Sequence, residues 1–162
     1  MEYPGNLATV AQQLDALMQR ENLHLVQVKL GTGSRIPLVR MMVDLEDRFI
    51  NIDDCSGLSK QIEKILDRAG CFPKGYRLEV SSPGLSHPLR EPWEFRKHLD
   101  RRLKMYYQHH GEMKEVEGRL VEIAANALTL HTGNLELNIP FDELDHALSV
   151  IDWQKSRPRK AR

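Results

Sequence analysis

The run Tyr76-Arg77-Leu78-Glu79-Val80-Ser81-Ser82-Pro83-Gly84-Leu85-Ser86-His87-Pro88-Leu89 divides the chain into two differently patterned parts. Tyr76 to Ser81 reads as a strand. It stops at Ser82-Pro83-Gly84, because proline removes an amide donor and glycine permits a positive φ. Ahead of this run helical and strand periods are mixed. Behind it, after one short helix, the period is two.

Working upstream, apolar residues at Leu7, Val10, Ala11, Leu14, Leu17 and Met18 fall on one helical face, with Asn6 as its N-cap. From Leu23 to Leu30 the pattern alternates, placing Leu23, Leu25, Gln27 and Lys29 on one face and His24, Val26, Val28 and Leu30 on the other. Gly31-Thr32-Gly33-Ser34 reads as a hairpin turn, and Ile36 to Leu45 as the partner strand. Pro37 near its start fits an edge strand, where a missing N–H is tolerated. Asp53 reads as the N-cap of a second helix carrying Leu58, Ile62, Ile65, Leu66 and Ala69, with Gly70 as its stop. The order so far is α-β-β-α-β.

Downstream, Pro92 at a helix N1 position begins a short helix through Leu99. Strands follow at Leu103–Gln108, Val116–Ile123, Leu128–His131, Leu135–Ile139 and Ala147–Ile151. Gly111, Asn126 and Gly133-Asn134 punctuate them. Five short strands in so small a space predict a closed or nearly closed barrel of SH3 or OB size. The expected fold is therefore α+β: an N-terminal α-β-β-α-β domain over 1–86, a small β-barrel domain over 87–154, and a tail over 155–162 expected to be disordered.

The 162 residues are 41% hydrophobic, 28% charged and 6% aromatic, a globular composition that excludes collagen, a disulfide scaffold and a wholly disordered chain. Cys55 and Cys71 are too few for a disulfide framework and lack zinc-site spacing; both read as buried small hydrophobes in a reducing compartment. The N-terminal stretch has neither a basic n-region nor an unbroken apolar run, so no signal peptide or membrane span is read, and a cytoplasmic protein is expected.

A net charge of zero conceals a strong asymmetry. Residues 1–86 hold 10 Lys/Arg against 11 Asp/Glu, 87–104 hold 6 against 3, 105–154 hold 2 against 9, and 155–162 hold 5 against none. A basic band of Arg90, Arg96, Lys97, Arg101, Arg102 and Lys104, interleaved with Trp93, Phe95 and Tyr106, suits phosphate contact with base stacking. Read structurally, it is a solvated helix face above buried aromatics.

Enzyme chemistry finds little support. There is no nucleophile elbow and no phosphate loop, and Gly31-Thr32-Gly33 lacks the third glycine and helix of a dinucleotide site. His109-His110 reads as a solvated loop tip, since neighbours on a strand face opposite ways, and no metal site is read. Asp53-Asp54 fits helix capping and dipole compensation. Ser81-Ser82-Pro83-Gly84-Leu85 is the least ordinary segment: a stiff loop with two hydroxyls and a leucine, which serves either as a connector or as a presented surface.

Tyr76 to Leu89 resembles the signature of the bacterial ribosome maturation factor RimP family. Asn51-Ile52-Asp53-Asp54-Cys55-Ser56-Gly57-Leu58-Ser59-Lys60, Val116 to Ile123 and Ile139 to Leu144 resemble it too. The resemblance implies a C-terminal barrel of Sm-like or SH3-like type, no catalytic residues, no cofactor, no small-molecule substrate and no membrane. It also implies a partner, the 30S ribosomal subunit, with 16S rRNA and the twelfth small-subunit ribosomal protein as the contacts. Under it the candidate partner- or rRNA-binding residues are Ser81, Ser82, Pro83, Gly84, Leu85, His87, Pro88 and Leu89, with Arg90, Arg96, Lys97, Arg101, Arg102 and Lys104. Where the family's loop usually carries Asp-Arg, this chain has Ser86-His87, a titrating group in place of a fixed charge. The acidic stretch is expected to attract a basic protein and repel stray RNA. Two alternatives stand: a general Sm-like RNA-binding protein, and an RNA-modifying or hydrolytic enzyme using Ser81, Ser82 or a carboxylate cluster.

Overall fold

The computed structural model describes residues 7–31 and 35–151. The chain forms two compact units that part between Pro83 and Gly84. Asn6, most of the Gly31–Ser34 turn and the basic tail, all read from sequence above, lie outside the described residues.

The first unit contains α1 (Leu7–Arg20), β1 (Leu23–Gly31), β2 (Leu38–Leu45), α2 (Ile52–Arg68) and β3 (Arg77–Ser81), the α-β-β-α-β order that the periodicity predicts. Its sheet runs β1-β2-β3, with β2 antiparallel to β1 and parallel to β3. Parallel neighbours need a crossover, and α2 supplies it. Both helices lie on one face, where Val10, Leu17 and Met18 of α1 and Leu58, Ile62 and Leu66 of α2 close over Val39, Met41 and Val43 of β2. Each such side chain, once buried, contributes about 1.5–3 kcal/mol.

Three local expectations change here. β2 is the central strand, not an edge, and Pro37 lies just before it. Having no N–H to offer the ladder, Pro37 serves only as an acceptor, its carbonyl taking the Arg77 amide at 2.9 Å. In β1, a bulge between Leu25 and Gln27 shifts the phase by one residue. Leu23, Leu25, Val28 and Leu30 thereby pair with Leu45, Val43, Met41 and Val39 and share one face of the sheet, where simple alternation had split them between two; Leu23 packs against the core, while Leu25, Val28 and Leu30 stay exposed. Finally, the N-cap of α2 is Asn51, not Asp53. The Asn51 side chain accepts the Asp54 amide at 2.9 Å, and the Asp54 carboxylate accepts the Asn51 amide at 2.9 Å, a complete capping box. Gly70, at φ +62°, ends the helix as expected.

The second unit opens with one turn of α-helix, α3 (Pro92–Phe95), and a 3-10 turn (Arg96–His98), in place of the single helix to Leu99. Asp100, at φ +62°, then redirects the chain. β4 (Arg102–His109), β5 (Glu112–Ile123), β6 (Ala127–Thr132), β7 (Leu135–Pro140) and β8 (Leu144–Ser149) form an antiparallel sheet in the order β7-β6-β5-β4-β8. All five predicted strands are present, but the sheet is not a closed barrel: among the described residues β7 and β8 do not pair. Ala147 of β8 instead exchanges both backbone bonds with Leu89, at 2.8 and 2.9 Å. β5 is long because it serves two partners, β4 along its first part and β6 along its last, with a bulge between Leu120 and Glu122. Gly118 lies within this passage, where a Cβ would sit 2.7 Å from the His131 carbonyl oxygen, so only glycine fits. Leu89, Phe95, Leu103, Met105, Leu120, Leu128, Leu130, Ile139 and Ala147 form the core.

Candidate functional site: the Ser81 to Leu89 run and the basic band

On the first unit's side, Ser81 is the last residue of β3 and pairs with Met42 of β2, so the central strand fixes its position. Ser82 is exposed and Pro83 half-buried. The Cys55 thiol, in the first part of α2, accepts the Ser82 amide, while burial pushes its pKa up. Cys55 is therefore half-buried and polar-bonded, unlike the buried small hydrophobe read from the sequence; Cys71 is buried as expected.

On the second unit's side, Gly84 to His87 makes a turn in which the His87 amide donates to the Gly84 carbonyl at 2.9 Å. Leu85 at its tip is 55% exposed. Pro88 is half-buried, and Leu89 is a core residue bridged to β8, so the segment is tied down directly behind its tip. Glu94, the third residue of α3, is buried, 4% exposed. One of its carboxylate oxygens accepts the amides of Arg90 at 2.7 Å and Glu91 at 2.8 Å. The other stands 3.6 Å from His87 Nε2. No signal singled out Glu94 in the sequence beyond the spacing Glu91-Pro92-Trp93-Glu94, an acid three residues into a proline-started helix.

The basic band does not form one uniform patch. Arg90, Arg96 and Arg101 are exposed. Lys97 lies over the Trp93 ring, 5.7 Å from its centroid, while Phe95 is fully buried. Arg102 and Lys104 alternate with the core residues Leu103 and Met105 along β4, and both are met by glutamates of β5: Arg102 by Glu117, and Lys104 by Glu115 at 3.0 Å. The Glu115 carboxylate, with Tyr106, raises the Lys104 pKa. Tyr106 stacks on His146 across β4 and β8, with centroids 4.5 Å apart and planes inclined 14°. That face is a cross-strand ladder of mixed charge rather than a cationic surface.

The remaining chemistry-bearing groups are scattered or paired. His109 and His110 lie at the β4–β5 turn, with His110 at φ +52° and Gly111 at φ +80°, and His109 Nδ1 is 3.8 Å from Glu143. Among the described residues, no group of three His, Cys, Asp or Glu side chains is placed to hold a metal ion. No helix among them is long and apolar enough to cross a membrane. A cavity of about 220 Å³ in the first unit is lined by Glu21, Arg48, Asp53, Asp54 and Gln61 with Leu23, Leu45, Gly57 and Leu58. Two of its charges are engaged with each other, since Arg48 makes two hydrogen bonds to Asp54 at 2.6 and 3.0 Å.

These features define a class: an α+β protein in which a mixed three-stranded sheet backed by two helices is followed in the chain by an antiparallel five-stranded sheet. Residues 13–86 match the family model described as the RimP N-terminal domain. The first unit thus carries a RimP N-terminal domain, a match that supports the RimP family. The match includes Ser81 to Ser86 and ends before His87, Glu94 and the basic band.

Proposed function

We propose that this protein is a non-catalytic ribosome maturation factor that binds the immature small subunit in the cytoplasm and assists incorporation of a ribosomal protein. The observation that carries this reading is the family match, which covers the first unit from residue 13 onward and runs on to Ser86. In this reading 1–86 and 87–154 act as two domains, the second of Sm-like or SH3-like type, supported by its five antiparallel strands and long, bulged β5. The exposed groups Ser82, Gly84 and Leu85, with Arg90, Arg96 and Arg101, meet the ribonucleoprotein. Arginine at such a site offers planar, multi-donor contact to phosphate. Ser81, Pro83, His87, Pro88 and Leu89 shape the segment, and Lys97 beside Trp93, with Arg102 and Lys104 beside Glu117 and Glu115, contributes to the same contact. Acidic groups of the second unit, Asp142 and Glu143 among them, draw in a basic ribosomal protein bearing on 16S rRNA, the twelfth of the small subunit.

Sucrose-gradient co-sedimentation with free small subunits, large subunits and complete ribosomes, at low and moderate salt, tests this. Comigration with the small subunit alone is expected. Equal binding to all three that vanishes as salt rises would replace the reading with a general RNA-binding protein, because counterion release governs non-specific contact. Replacing Ser81 and Ser82 by alanine is expected to alter binding at most; loss of a turnover with the fold intact would establish an enzyme instead.

A further inference from the structure

We propose that Glu94 is the positioning residue of the Gly84–Glu91 segment, acting through backbone amides to hold Leu85 and its neighbours in the presented conformation; this deepens the reading above and rests on it for the partner. Three observations within the second unit converge. The Glu94 carboxylate is buried although Glu is a residue type that is almost never fully buried without a partner. Its bonds run backwards along the chain, to the amides of Arg90 and Glu91, whose own residues are exposed. Its second oxygen faces the His87 ring, whose amide closes the turn beneath Leu85.

The helix that Glu94 belongs to is a single turn and gains little from capping by itself. The carboxylate therefore serves the incoming segment more than the helix. Together with the Leu89–Ala147 bridge it fixes the segment at two places, and the tip is left with few conformations to lose on meeting a partner. Glu94 makes no contact with the partner in this scheme; Leu85 and its flanking polar groups do.

The test is residue-resolved amide hydrogen exchange on the full chain, with small-subunit co-sedimentation measured beside it. In the unaltered protein the Arg90 and Glu91 amides are expected to be protected despite their exposed side chains. Exchange at the rate of free amides would overturn the proposal without any variant being made. Glu94→Met keeps length and apolar packing but removes the acceptor, so exchange at Arg90 and Glu91 should accelerate about tenfold or more, with the Met105 and Leu120 amides unchanged. Glu94→Gln retains one acceptor oxygen and should restore protection, a rescue that loss of packing alone would not show. Small-subunit binding should fall with Met and recover with Gln. Accelerated exchange with undiminished binding would overturn the positioning role, as would unchanged exchange in the Met variant. If the unaltered protein does not comigrate with small subunits, the functional reading fails, and exchange alone decides what Glu94 does.

Discussion

Two short acidic motifs begin the two helices that flank the signature segment, and they put the same chemistry to different uses. At α2, Asn51 and Asp54 exchange side-chain bonds with each other's amides, in a site open to solvent, and a 17-residue helix follows. At α3, Glu94 accepts the amides of Arg90 and Glu91 from a buried position, and a four-residue helix follows. The first box starts a helix that packs across a sheet. The second secures the chain that arrives at it. Burial separates the two cases, because a solvated carboxylate can lose its amide partners to water at small cost while a buried one cannot.

The largest single effect that would break this contrast is at the buried site. Glu94→Ala should destabilise the second unit by about 2 kcal/mol, since it strands two amide donors and leaves a gap, measured by urea unfolding followed with a probe in that unit. A loss no greater than that of an exposed cap would erase the distinction. Next comes Asn51→Ala, expected to cost the first unit about 1 kcal/mol, the usual worth of a side-chain cap. Asp53→Ala should cost less, as Asp53 is not the cap; the reverse order would contradict the geometry.

Smallest is Arg48→Ala, which removes an exposed ion pair whose effect should shrink further with added salt. Its clearest trace is in acid. The Arg48 guanidinium, and then the Asn51 amide, hold the Asp54 carboxyl at about 2, below its ordinary 3.8. A lowered folded-state value means that Asp54 contributes stability above pH of about 4, and that this contribution is lost as the pH falls toward 2. Acid titration of the unaltered chain and of the Arg48 variant, followed by melting temperature, should show a weaker dependence in the variant over that interval.

Much of this architecture is written locally and so was open to reading. The α1 and α2 faces, the β1–β2 hairpin, the Gly70 stop and five C-terminal strands follow from periodicity and turn residues, which depend on neighbours in sequence. What escaped depends on partners far away. The β1 bulge is visible only against β2, and alternation alone assigns Val28 and Leu30 to the wrong face. The central place of β2 depends on β3 arriving beside it after α2. In the C-terminal sheet, the bridge from Leu89, a residue ahead of α3, to Ala147 of β8 leaves no local trace either. At the candidate site, the end of β3 at Ser81 was legible from Ser82-Pro83-Gly84. The meeting of Arg102 with Glu117 and of Lys104 with Glu115 was not, because cross-strand register determines it.

The parallel pairing of β2 with β3 also orders events in time. A hairpin such as β1–β2 closes on the scale of microseconds from contacts near in sequence. β3 must wait for the whole of α2 to be threaded back, a longer closure with a larger entropy cost paid before its reward. Ser81, the final rung of that pairing, is thus expected to be among the last residues of the first unit to reach its place. A newly made chain would then acquire its signature segment only as the N-terminal sheet is completed, so that presentation of the segment reports a finished domain.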